Sequence, residues 1–226
     1  MNLPSLWHRF DSGTPHRGRS LPPHLCVGVG VKFSYPAQKD MIISDFEKKI
    51  IGVAKPYFEF CRSGDWEHAE RVVNWVKELG EERSDLNVII IAAYLHDIGW
   101  YKVLPKGKID LDEMLKYEDK ANQNSSKYVR EVLDKLSYSK YDIDKVLRLV
   151  RAADDHNAGS GDEEIIVDAD SLSKLCVEHL REKYQPGSYE KLIRLWEDEL
   201  AKRIRTLKGK AIYPRLLAEL KKAVLR

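Results

Sequence analysis

From residue 41 almost to the C-terminus, apolar positions recur at spacings of three and four, the signature of one buried helix face. Phe46, Ile50, Ala54, Tyr57 and Phe58 mark the first such face. Ser63-Gly64-Asp65 interrupts it, and Asp65 is placed to cap the helix that follows. That second helix carries Val72, Val73, Trp75, Val76 and Leu79, and Gly80 supplies its stop signal. A third, capped by Ser84 or Asp85, is predicted over residues 86–97. Its middle is apolar on every side, which predicts the centre of a bundle. The β-branched run Val88-Ile89-Ile90-Ile91 would also suit a buried strand, but no other segment offers a pairing partner. Residues 100–112, with Pro105 and Gly107, read as loop, and one long helix is predicted over 112–136. The next, through Ile143, Val146, Leu147 and Val150, ends near Asp154-Asp155-His156. After a Gly-rich loop at 158–162, helices are expected over 165–180 and from Ser188 through Ile204. A last helix bears Leu216, Leu217 and Leu220, with Pro214 near its first turn. The expected fold is all-α.

Residues 1–40 depart from this pattern. They hold five of the nine prolines, together with His8, His16 and His24, and show no helical period. They read as a flexible, disordered or extended tail, with a metal-binding or basic arm as the minor reading. Pro22-Pro23-His24 breaks their only apolar stretch, which argues against a signal peptide. Met41 opens the first strongly patterned segment, so a second expectation is that translation starts there and the tail is not part of the native product. The folded domain is expected over residues 41–226.

A hydrophobic content of 43% and a charged content of 33% fit a folded globular chain. The net charge of +2 divides into +3 for residues 1–40 and −1 for the remainder, which does not favour a nucleic-acid partner. Cys26, Cys61 and Cys176 are far apart and odd in number, as expected of reduced thiols in the cytoplasm. No apolar run approaches the ~20 residues of a membrane span. The charged terminal helices read as solvated faces, with a homodimer surface as the minor reading.

The chemistry concentrates in Leu95-His96-Asp97-Ile98-Gly99. An imidazole and a carboxylate at the end of an apolar helix are costly to bury unless something pairs with them, and a divalent cation would. His68 falls in the first turn of the second helix. At ~1.5 Å per residue, the rise from His68 to Gly80 is roughly 18 Å and the return from Leu86 to His96 roughly 15 Å. An antiparallel pair therefore brings His68 and His96-Asp97 to the same end. Further donors are Asp168 and Asp170, which lie about 200° apart on a helix, so only one can face the site. A set of two histidines and two carboxylates suits Mn, Fe, Co, Ni or Zn, and Mg less well.

His68, His96-Asp97 and an aspartate some 70 residues later resemble the H…HD…D pattern of the HD-domain metal-dependent phosphohydrolases. Asp65-Trp66-Glu67-His68-Ala69-Glu70-Arg71-Val72 is similar to the family's first motif, Leu95-His96-Asp97-Ile98-Gly99 to its central one, and Asp168-Ala169-Asp170-Ser171-Leu172 to its closing one. The resemblance spans about residues 43–182. It implies an HD-type helical bundle and one divalent metal ion held by His68, His96, Asp97 and Asp170. Asp168 is then a supporting or helix-capping group. It also implies hydrolysis of a phosphoester or phosphoanhydride bond in a small phosphorylated substrate, most often a nucleotide.

Three features depart from the family, one being that the lysine usual after HDIG is displaced to Lys102. The position where two-metal members carry a histidine reads Ala121-Asn122-Gln123-Asn124-Ser125, and the glutamate that some nucleotidases place three residues after HD is Trp100. A non-catalytic metal- and nucleotide-binding sensor is therefore the alternative. In the catalytic reading, Asp97 or Asp170 orients the attacking water. Arg71, Lys102 and His156 are candidates for phosphoryl charge, Lys106 for phosphate binding, and Trp100 for stacking on a base. His179 and Cys176 read as packing residues.

Overall fold

The computed structural model describes residues 43–159 and 161–225. The expectations for residues 1–40 lie outside these. Among the described residues the fold is all-α, with no strand, only a single bridge between Ile109 and Tyr184. The ten α-helices are α1 (Asp45–Phe58), α2 (Asp65–Leu79), α3 (Leu86–Leu95), α4 (Leu111–Leu115), α5 (Glu118–Lys135), α6 (Lys140–Asp154), α7 (Gly161–Ser173), α8 (Val177–Lys183), α9 (Tyr189–Arg203) and α10 (Leu207–Val224).

Helix α3 is the centre. Every residue from Ile89 to Leu95 is buried, and α1, α2, α6 and α7 pack around it. From Ile89 onward no side of the helix faces water, and only its first turn, with Asn87, is exposed. Helix α1 starts at a reciprocal capping box: Ser44 Oγ accepts from the Glu47 amide and Glu47 accepts from the Ser44 amide. Glu47 then reaches inward to Lys77 of α2 at 2.7 Å and Tyr94 of α3 at 3.2 Å, tying three helices together.

Asp65 is the first residue of α2 and not its cap. Gly64 takes the cap position with φ +77°, where a Cβ would fall 2.6 Å from Glu182 Cβ. Beyond α3, a 3₁₀ turn over Ile98–Trp100 leans on α5. Gly99 permits this approach, since a Cβ there would lie 2.2 Å from the Ala121 carbonyl oxygen and 2.5 Å from Ser125 Oγ.

Three expected helices are corrected. The span 112–136 is two helices, because the Lys116 and Tyr117 amides bond back to Glu113 and Met114 and turn the chain before α5 begins. The span 165–180 is also two. Ser173 Oγ folds back onto the Asp170 carbonyl at 2.7 Å, and Cys176 Sγ accepts from the His179 amide to start α8. Pro214 sits inside α10, which begins earlier, at Leu207, where Thr206 Oγ1 accepts from Gly209 N. The break between α7 and α8 matters for function, since α7 carries Asp170 and α8 carries Lys183 to one place.

Candidate metal centre

That place is the end of the α2–α3 pair. His68 is in the first turn of α2, His96 follows the last residue of α3, and their rings lie 5.0 Å apart between centroids. Asp170, on α7, completes the group: one donor atom from each of His68, His96 and Asp170 lies within 4.8 Å of the other two. All three side chains are buried.

Proton positions follow from the partners. His96 Nδ1 lies 2.9 Å from the Ala93 carbonyl oxygen, which can only accept, so the proton sits on Nδ1. The Nε2 lone pair of His96 is then exposed inside the protein, and that atom is buried with no hydrogen-bond partner. Ser173 Oγ donates to the Asp170 carbonyl and so accepts from His68 Nδ1 at 3.1 Å. This leaves the His68 Nε2 lone pair facing Asp170 Oδ1 at 3.1 Å. Burial, followed by the charge of Lys183, holds His68 well below the usual histidine range and hence neutral. Two imidazoles and a carboxylate converge with their acceptor atoms inward. Such a set repels itself when empty and fits a divalent cation, with nitrogen donors that suit Mn, Fe, Co, Ni or Zn.

Asp97 stands beside this cluster. Its Oδ2 is 3.8 Å from His68 Nε2 and 3.7 Å from His96 Nε2. The same oxygen accepts from Arg62 at 2.8 Å and Lys183 at 3.1 Å. Both cations also grip Asp65, Arg62 at 3.0 Å and Lys183 at 2.6 Å. Two cations and two carboxylates thus form a balanced, buried group. Burial alone would raise Asp97, but Arg62 and Lys183 hold its carboxyl well below the usual range. Nothing in the sequence signalled this. Arg62 precedes Asp65 by one helical turn in a loop, and Lys183 arrives from α8, far along the chain.

Asp170 also lies below the usual carboxylate range. Burial works against this, and Lys174 Nζ at 2.6 Å with His68 overcomes it. Lys174 is one turn beyond Asp170, a spacing the sequence did contain. Asp168 points the other way, as the 200° separation requires. Its oxygens accept from Arg205 N and Thr206 N at 2.8 Å each and from Thr206 Oγ1 at 2.6 Å, fixing the α9–α10 elbow to α7.

His156 follows the end of α6 with φ +52°, an uncommon conformation for a non-glycine residue. The Asn157 amide, bonded to the Ala152 carbonyl at 3.0 Å, closes this turn. Burial, then Lys174 and Arg203, push its imidazole well below the usual range, against the opposite pull of Asp170 and Asp97. Asp154, which the sequence reading left out, is raised well above the usual carboxylate value by burial, and it too feels Asp97 and Asp170.

The other candidates have partners of their own. Arg71 pairs with Glu182 at 2.7 Å and approaches His179 at 3.5 Å. Trp100 is buried under the Arg62 guanidinium, 3.8 Å from its ring centroid, so that face is already covered. Lys102 lies over Phe60 and Tyr101, and Lys106 over Phe60. His179 is buried, its ring 4.7 Å from that of His68, and Cys176 is buried as well.

Among the described residues no helix is long and apolar enough to cross a membrane. No curated protein and no solved structure matches the chain. The family model for the HD domain matches residues 65–202, which include His68, His96-Asp97 and Asp170. The chain therefore belongs to the HD domain family, a superfamily of metal-dependent phosphohydrolases.

Proposed function

We propose that this chain is a phosphohydrolase that cleaves a phosphoester or phosphoanhydride bond of a small phosphorylated metabolite, a nucleotide in the first place. His68, His96, Asp97 and Asp170 would hold one divalent ion. The observation that carries this reading is the buried, unpartnered His96 Nε2 aimed at the same point as His68 Nε2 and Asp170 Oδ1. When bound, such an ion supplies Lewis-acid charge for a phosphoryl oxygen and lowers the pKa of water.

The protein's own groups do the rest. Asp97, kept ionised by Arg62 and Lys183, accepts a hydrogen bond from the attacking water and orients it. His156, kept neutral, can donate one hydrogen bond to the phosphoryl group and hand on a proton through its other nitrogen. Burial of the cluster strengthens each of these interactions. Of the remaining candidates, Arg71 has its charge committed to Glu182, and Trp100 its face to Arg62.

A sensor that binds its ligand without turnover is the second reading. It is favoured by Trp100, which stands where some members place an acid. A panel of phosphorylated metabolites, assayed with Mn, Co, Ni and Mg, separates the two. Phosphate release that is lost in His96→Ala supports the enzyme. Saturable nucleotide binding with no release under any metal supports the sensor.

A further inference from the structure

We propose that Ser173 is a positioning residue that keeps the metal centre open: its hydroxyl fixes the proton of His68 on Nδ1 and so denies Asp170 a hydrogen bond from Nε2. This rests on the reading of His68, His96 and Asp170 as metal donors, and adds the group that decides whether His68 can act as one.

Ser173 lies three residues after Asp170, so the two share one face of α7. It is fully buried and is the last residue of that helix. Its Oγ is 2.7 Å from the Asp170 carbonyl oxygen and 3.1 Å from His68 Nδ1. A hydroxyl has one proton and a carbonyl can only accept it, so a lone pair of Oγ is turned to Nδ1. One oxygen atom thereby ties the ligand on α2 to the backbone of the ligand on α7. The rings of His96 and His179 pack against that of His68 at 5.0 and 4.7 Å between centroids, both T-shaped. With the ring held between them, the open variable is which nitrogen carries the proton.

Two arrangements compete for that proton. On Nδ1, it is donated to a neutral hydroxyl, and the Nε2 lone pair is available to a cation. On Nε2, it is donated to Asp170 Oδ1, 3.1 Å away, and both atoms are withdrawn from metal binding. A hydrogen bond to a carboxylate is roughly twice as strong as one to a neutral acceptor. Without a counterweight the second arrangement wins, and the site closes on itself. Ser173 is the counterweight. An unprotonated Nδ1 would meet the lone pair of Oγ at 3.1 Å, unless the hydroxyl gave up its 2.7 Å bond to the Asp170 carbonyl. The imidazole is neutral in both arrangements, so the proton only changes nitrogen and none is gained or lost.

The test uses the full chain, stripped by a chelator. Zn²⁺ affinity is measured by competition titration, and the His68 tautomer is read from long-range ¹H–¹⁵N spectra before Zn²⁺ is added. Wild type is expected to show Nδ1–H. Ser173→Ala should show Nε2–H and bind Zn²⁺ about 10–100-fold more weakly, the loss typical of a group that orients a ligand. Ser173→Thr, which keeps the hydroxyl, should restore the Nδ1 tautomer and most of the affinity. Cys176→Ala loosens the same α7–α8 junction, where Cys176 Sγ accepts from the His179 amide, yet leaves His68 its partner. It should keep both the tautomer and the affinity. Equal Zn²⁺ affinity in wild type and folded Ser173→Ala, equal losses in Ser173→Ala and Cys176→Ala, or Nε2–H in wild type overturns the role of Ser173 and leaves the metal centre standing. A wild type that binds no Zn²⁺ overturns the metal centre as well. Should Ser173→Ala fail to fold by circular dichroism, the wild-type tautomer decides: Nδ1–H upholds the proposal and Nε2–H overturns it.

Discussion

At the scale of single residues, two aspartates two positions apart on α7 perform different work. Asp170 faces His68, and Asp168 holds the α9–α10 elbow. The sequence contained this division, because residues two apart on a helix point in opposed directions. It contained neither Arg62 nor Lys183 as site residues, since a lysine in an ordinary basic helix carries no local sign that it will be buried on two carboxylates. Asp168→Ala is expected to keep its metal within about the 10–100-fold loss typical of a supporting partner. It should also lose about 1–3 kcal/mol of stability for donors left unmatched, measured by urea unfolding. Lys183→Met leaves Asp65 and Asp97 sharing one cation, and removing one member of a buried charged group costs about 3–5 kcal/mol. Asp65→Asn added to Lys183→Met should recover part of that loss in a double-mutant cycle. Strict additivity of the two changes would show that the pair does not interact.

At the scale of elements, the periodicity identified nearly every helix but ran two pairs of them together. The apolar spacing continues across residues 116–117 and 174–176, so the breaks are made by backbone turns and by the Ser173 and Cys176 side chains, which periodicity does not register. Gly99 is the reverse case, a residue whose need is visible only once α5 is in place. Gly99→Ala forces a Cβ onto the Ala121 carbonyl oxygen, and overpacking of this kind costs typically about 1–3 kcal/mol. A melting temperature unchanged by this substitution would show that the 3₁₀ turn moves freely from α5. Glu47 gives a pH test. Burial raises its carboxyl, but hydrogen bonds from Lys77 and Ser44 outweigh this and hold it below its ordinary 4.5. Its stabilisation is therefore complete above that value and lost as pH falls through the lower folded value. Wild type should lose more melting temperature between neutral pH and about pH 3 than Glu47→Gln does, and parallel losses would remove Glu47 from the explanation.

At the scale of the molecule, the start of α2, the end of α3 and the last turn of α7 meet at one point, with Lys183 of α8 on the neighbouring Asp97. Two of the ligand-bearing helices could be matched in the sequence by their lengths alone. The arrival of α7 and α8 could not, because it depends on tertiary packing, and the family resemblance supplied only Asp170. Helix α1 begins with its own cap at Ser44, so a chain shortened to start at Met41 is expected to retain its metal and its melting temperature. A large drop in either would assign residues 1–40 a structural role. The most direct measurement is bound metal per chain after dialysis, by elemental analysis. Wild type, His68→Ala, His96→Ala, Asp97→Ala and Asp170→Ala are compared, with circular dichroism to establish that each is helical. Wild type is expected to hold close to one divalent ion and the four folded variants almost none. A wild type without metal, or folded variants that keep it, would contradict the assignment of this cluster as the metal centre.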